Sequence, residues 1–205
     1  ITSSGLFVND KYIQLALLAY FLIAIMSSSV SAFSFNGNKI VTTGGGGVMV
    51  TNDESLAKRA KHITTTAKVP HPYEFVHDEV GFNYRMPNLN AALGCAQMEQ
   101  LPEILKEKEE ITSKYNKFFE KHGMEIIKPI LHAKANNWLN AIMLNSIEER
   151  NDFLSFTNSN GIMTRPIWSI MSKLRMFQNC QHDGLSNSRW LEARVVNIPS
   201  SVPLG

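Results

Sequence analysis

The 205 residues carry 44% hydrophobic and 19% charged side chains with a formal net charge of +2, the make-up of a globular chain that can bury a core rather than of a disordered one. So small a charge, with no basic stripe interleaved with aromatics, argues against a nucleic-acid partner. The two cysteines, Cys95 and Cys180, form no CxxC pair, which fits a reduced intracellular setting and leaves a lone disulfide open.

The chain opens on Ile-Thr-Ser-Ser rather than on methionine, which suggests part of a longer protein. From Leu15 to Met26 it reads "LALLAYFLIAIM", twelve residues without a charge. With Lys11 before it and the small pair Val30/Ala32 after it, this run imitates a secretory signal and its cleavage site. It is shorter than the ~20 apolar residues of a membrane span, so a buried helix or strand pair is the plainer expectation.

Ala32 to Phe35 and Ile40 to Thr43 read as extended segments around an Asn-Gly-Asn-Lys turn. Gly44 to Gly47 form a loop, and Val48 to Thr51 return as a strand. Asn52 is the expected cap of a helix with Asp53 and Glu54 in its first turn and Leu56, Ala57, Ala60 and Ile63 on its buried face. Pro70 and Pro72 make Val69 to Tyr73 an irregular connection.

A second helix starts at Asn88 after Pro87, its small residues Ala91, Ala92, Gly94 and Ala96 allowing another backbone close approach. Pro102 marks a break or the first turn of a continuation. From Glu103 to His122 a charged helix sets Ile104, Ile111, Tyr115, Phe118 and Phe119 on one side, and Gly123 stops it. Strands follow at Met124–Ile127 and Trp138–Leu144. Ser146 and Glu149 form a capping-box pattern opening a helix, which Gly161 ends before a strand candidate at Ile162–Arg165. This alternation is that of a small α/β or α+β unit, with the boundary near residue 105.

The chemistry centres on Lys39 in "SFNGNKIVTTGGGG", Ser34 to Gly47. A P-loop needs its lysine after the glycines, whereas Lys39 precedes them. A dinucleotide fingerprint needs a helix after the glycines, and here Val48-Met49-Val50 is strand-like. A hairpin turn with an incidental surface lysine remains open, as does a Schiff-base lysine, which must shed its proton in a pocket that disfavours the ammonium. In that reading Ser34, Asn36 and Asn38 would serve a cofactor phosphate and orient the amine. The six histidines show no metal-ligand spacing, so no metal site is expected. His71 and His77, on the loop before "GFNYR", are candidates for the substrate's surroundings, as is Trp168 if it is not small-domain core.

"AFSFNGNKIVTTGGGGVMVTNDESLAKRAKHI" followed by "HDEVGFNYRMPNLNAALGCAQMEQL" closely resembles the sugar aminotransferases of the DegT family, pyridoxal-phosphate enzymes of the aspartate-aminotransferase fold. The likeness runs from about Ala32 to the closing "RVVNIPSSVPLG". It implies an α/β chain: residues 1–105 as the C-terminal part of a pyridoxal-phosphate-binding large domain with a mixed sheet and helices, and residues 106–205 as a small α/β C-terminal domain, joined by a long helix at about 103–122. By the same resemblance Lys39 joins the cofactor aldehyde, Ser34 holds its phosphate and Asn36 faces cofactor and substrate. Asn83, and less directly Arg85, reach the site of the neighbouring subunit, so a homodimer is required. The implied reaction moves an amino group from glutamate to a UDP-linked 4-keto-6-deoxy sugar for surface glycans, in the cytoplasm, without a membrane or nucleic-acid partner.

Against the family pattern, an aspartate for the pyridine nitrogen should stand shortly before Ser3 to Phe7, and Asp10 is too far along to be that residue. "QLALLAYFLIAIMSSSVS" replaces a short glycine-containing segment and reads as an altered passage. The expectation is therefore a poor or inactive transaminase as the chain stands, with a dimerising or regulatory remnant and a secreted or membrane-attached domain as alternatives.

Overall fold

The computed structural model describes residues 29–202. The apolar run Leu15–Met26, Asp10 and the last three residues lie outside the described residues. The chain divides into two compact units between Pro102 and Glu103, and each is built differently.

In the first unit, β1 (Ser31–Ser34) pairs antiparallel with β2 (Gly47–Val50), in a register that sets Ser34 opposite Gly47. The expected strand at Ile40–Thr43 does not form. Those residues bend back instead, and Thr43 donates its N–H to the Phe35 carbonyl at 3.0 Å. Helix α1 (Glu54–Thr64) is capped by Asp53, one residue later than expected, because its carboxylate accepts from the N–H groups of Ser55 and Leu56. Ala57, Ala60 and Ile63 are half-buried, while Leu56 stays exposed. A turn through Thr66 and Ala67, both with positive φ, leads into the short antiparallel pair β3 (Lys68–Val69) and β4 (Val76–His77).

Helix α2 (Asn88–Lys121) is one continuous helix. Pro102 sits inside it without ending it, although a proline removes one backbone donor and crowds the preceding turn. The helix runs on to Lys121, and Gly123 with φ +68° follows it. Of the residues expected on one side, Phe119 is buried and Phe118 is 55% exposed.

The second unit holds a four-stranded antiparallel sheet in the order β5 (Glu125–Ile126), β6 (Asn140–Met143), β8 (Val195–Ile198), β7 (Arg165–Pro166). Its core is Phe119, Ile126, Ile142, Leu144, Val196 and Ile198, with Phe153 and Leu154 of helix α3 (Ile147–Ser159) packed against it. The Ser146 hydroxyl accepts from the Glu149 N–H as the capping pattern predicts, but the Glu149 carboxylate returns to the Asn145 N–H. Helix α4 (Ser186–Glu192) leads into β8.

A buried polar cluster fastens the residues after β8. Lys108, only 7% exposed, donates to the carbonyls of Trp138 and Ser200. Asn140 donates to the Ser200 hydroxyl, and Tyr115 donates to the Pro199 carbonyl. Burial pushes the Lys108 ammonium below its ordinary pKa by removing it from water. Among the described residues no helix is long and apolar enough to cross a membrane.

Candidate functional site

Lys39 lies in a closed loop between β1 and β2. The neck of the loop is made by backbone bonds: the Phe35 N–H donates to the Gly46 carbonyl, and the Thr43 N–H donates to the Phe35 carbonyl. At the tip, the Lys39 N–H donates to the Asn36 carbonyl at 3.0 Å, closing the Asn-Gly-Asn-Lys turn. Lys39 is half-buried there, while Ser34, Asn36 and Asn38 are exposed. The Ser34 hydroxyl oxygen accepts from the Asn36 N–H at 3.3 Å, which leaves its hydrogen to donate outward. The Asn36 side-chain amide donates to Asn38 Oδ1. Ser34, Asn36 and Lys39 therefore share one short loop.

The glycines divide the labour of shaping this loop. Gly46, with φ +132°, lies where a side chain would strike the Met86 methyl at 2.9 Å. Gly47 lies so close to the Phe33 carbonyl that a Cβ would stand 2.6 Å from the oxygen. Gly45 faces open space.

The first turns of α2 carry the loop. Thr43 is buried to 2% exposure, and its methyl lies 2.9 Å from where a Cβ on the buried Gly94 would stand. The Asn90 side-chain amide donates to the Thr43 carbonyl, and Gln97 accepts from the Thr42 N–H at the edge of hydrogen-bond range. The small residues read from the sequence as a place for close approach thus receive Thr43, at Gly94. Through Met86, Asn90, Gly94 and Gln97 the "GFNYRMPNLN" region and the lysine loop are physically one assembly. The sequence held no direct signal for Thr43, Asn90 or Gln97 as its supports.

Asn83 and Arg85 lie in a segment tied to α1. Backbone bonds from Phe82 to Ile63 and from Tyr84 to Thr64 tie their segment to the C-terminal end of α1, and Asn83 bridges Thr65. Both side chains are exposed. Arg85 lines an open cleft of about 570 Å³ with Thr65, Lys68, Pro70, His71 and Pro72. His71 belongs to this cleft, whereas the His77 ring nitrogen bonds the Thr66 carbonyl at 2.7 Å. Trp168 stacks on Trp138 with centroids 6.1 Å apart and is 67% exposed.

One constellation was not legible from spacing. His62 on α1 meets Asp78 at 2.6 Å and Glu79 at 3.5 Å, and Arg59 clasps Glu79 with both guanidinium nitrogens. The His62 hydrogen bond holds the Asp78 carboxyl below its usual pKa, and Arg59 does the same for Glu79. Donor atoms of His62, Asp78 and Glu79 fall within 4.8 Å of one another. With the Arg59 cation already on Glu79, the group is an ion-pair network fastening residues 78–79 to α1.

The donor set suits pyridoxal phosphate at two of its three ends: an amine for the aldehyde at Lys39, and a hydroxyl donor for the phosphate at Ser34. For the third, residues 29–52 contain no Asp or Glu that could pair with a pyridine nitrogen.

Residues 25–205 match the family described as DegT/DnrJ/EryC1/StrS aminotransferase family. The chain is 33% identical over 173 residues to the GDP-perosamine synthase of Escherichia coli O157:H7, covering 83% of this chain and 46% of that protein. It is 35% identical over 119 residues to the UDP-4-amino-4,6-dideoxy-N-acetyl-beta-L-altrosamine transaminase of Campylobacter jejuni serotype O:23/36, covering 57% of this chain and 32% of that one. Among solved structures, Helicobacter pylori PseC, an aminotransferase involved in the biosynthesis of pseudoaminic acid, superimposes with a TM-score of 0.80 at 22% identity, covering 87% of this chain and 49% of PseC. The α/β fold is thus that of a sugar aminotransferase, and the chain spans about half the length of the curated relatives it matches or less.

Proposed function

The chain belongs to the DegT/DnrJ/EryC1/StrS aminotransferase family, and we propose that it carries the lysine-bearing part of an enzyme that moves an amino group from glutamate to a nucleotide-linked 4-keto-6-deoxy sugar. The cofactor in this reading is pyridoxal phosphate, which when bound supplies the electron sink that makes an amino acid's α-hydrogen acidic. The sugar is read as UDP-linked and the setting as the cytoplasm.

The observation that supports the reading is the closed loop: Lys39, Ser34 and Asn36 lie together on a neck seated on α2. Lys39 Nζ would hold the cofactor aldehyde and, once displaced, carry the proton removed from the donor. The Ser34 hydroxyl would donate to the phosphate, with its lone pair steadied by the Asn36 N–H. Asn83 and Arg85 are exposed, which suits a role toward a second copy in a homodimer.

Because residues 29–52 contain no Asp or Glu, one other reading is a remnant that binds cofactor weakly and serves as a dimerising or regulatory module. One experiment separates the two. The chain is incubated with pyridoxal phosphate, reduced with borohydride and digested, and the labelled lysines are mapped by mass spectrometry. The transferase reading expects Lys39 to carry the label, Lys39→Ala to lose it, and glutamate with a UDP-linked or GDP-linked 4-keto sugar to give an amino sugar. Label without transfer supports the remnant. Label spread over surface lysines and unchanged in Lys39→Ala overturns both.

A further inference from the structure

We propose that Asn90 is a positioning residue for Lys39, acting through Thr43. The inference rests on the reading of Lys39 as the cofactor-holding amine. The tip of the loop is shaped by local bonds: the Lys39 N–H donates to the Asn36 carbonyl, the Asn36 N–H to the Ser34 hydroxyl, and the Asn36 side-chain amide to Asn38. Its placement comes from the neck, where Phe35 is joined to both Thr43 and Gly46.

The neck itself is seated on α2 at Thr43. This residue is 2% exposed, and all of its polar groups are committed: the N–H to the Phe35 carbonyl, the hydroxyl to the Gly45 carbonyl at 2.8 Å, and the carbonyl to the Asn90 amide. Its methyl lies over Gly94, 2.9 Å from where a Cβ would stand. The Asn90 amide is thus a side-chain donor from the helix to the neck, and the residue before Thr43 is approached by Gln97 from about two turns further along.

Removing the Asn90 donor leaves the Thr43 carbonyl without its partner and frees the neck to shift over Gly94. The Lys39 amine then samples positions from which a bound aldehyde is poorly met, and displacements near 1 Å are enough to slow a reaction strongly. The effect of Asn90 passes through Thr43 and the loop backbone.

The test compares Asn90→Ala, Asn90→Asp and Asn90→Gln with the native chain by two readouts. The first is the rate of borohydride-trapped pyridoxal phosphate appearing on Lys39, measured against label on exposed Lys58. The second, made without cofactor, is hydrogen exchange of the peptide spanning residues 36–46. Asn90→Ala and Asn90→Asp should slow Lys39 labelling roughly tenfold while Lys58 labelling is unchanged, and should raise exchange in 36–46 without raising it in β6 or β8. Asn90→Gln, which keeps an amide donor, should recover part of the labelling. Native labelling and native exchange in Asn90→Ala would overturn the proposal. If the native chain takes no label at Lys39, the cofactor reading fails separately, and unchanged loop exchange in Asn90→Ala then overturns the positioning as well. Should Asn90→Ala fail to fold, Gln97→Ala tests the neighbouring contact on the same two readouts: unchanged labelling and exchange count against seating by α2, and loosening of 36–46 supports it.

Discussion

Replacing Gly47 by alanine isolates the closest backbone approach in the lysine region. An added Cβ would lie 2.6 Å from the Phe33 carbonyl oxygen, and contacts under 3.0 Å essentially do not occur. β1 and β2 must therefore part by at least about 0.4 Å at the point where Ser34 faces Gly47, the kind of overpacking that costs roughly 1–3 kcal/mol. For a chain of this size each kcal/mol lowers the melting temperature by about 2–4 °C. Gly45→Ala, two residues away, meets no atom within 4 Å and should be neutral or raise stability by ~0.4–1 kcal/mol through the unfolded chain. Urea titrations and thermal melts of the two variants give the contrast directly. Equal stability of Gly47→Ala and Gly45→Ala would refute the close approach and, with it, the register that sets Ser34 beside the loop.

Ile142→Ala, at a fully buried position in the core of the second unit, should lose about 2–5 kcal/mol in denaturant titration. Lys108 has a folded pKa below its unfolded value, so the folded state sheds this proton first and its contribution to stability rises with pH between those two values. Lys108→Met should flatten that alkaline rise in urea midpoints measured across the same range, and an unchanged slope would count against the buried ammonium. His62→Ala should return the Asp78 carboxyl toward its ordinary pKa in an NMR titration, because the His62 hydrogen bond is the largest cause of its depression.

The parts of the fold legible from sequence were those with local causes. Ser146 and Glu149 announced α3 through capping chemistry, Gly123 and Gly161 marked helix ends, and the Lys39 turn was visible as Asn-Gly-Asn-Lys. What failed had distant causes. Ile40–Thr43 has strand-like composition, yet Thr43 is drawn onto Gly94, fifty-one positions along, and the segment bends. Pro102 reads as a break or the first turn of a continuation, and the helix runs on through it. The His62, Asp78, Glu79 and Arg59 network joins α1 to a loop about twenty residues away, a distance at which no spacing rule operates. At the candidate site, the motif drew attention to Lys39 and Ser34, while the residues that seat their loop are ordinary helix positions that only packing distinguishes.

The position of β8 in its sheet has a consequence for synthesis. Val195–Ile198 forms an interior strand, flanked by β6 on one side and β7 on the other, yet it is the last of the described strands to leave the ribosome. Until it emerges, the β5–β6 hairpin keeps an open edge, and Arg165–Pro166 has no neighbour to pair with. Closure of this sheet therefore waits for Val195–Ile198 to emerge. A nascent chain stalled before Val195 would leave Ile142 and Leu144 uncovered, a natural target for chaperones.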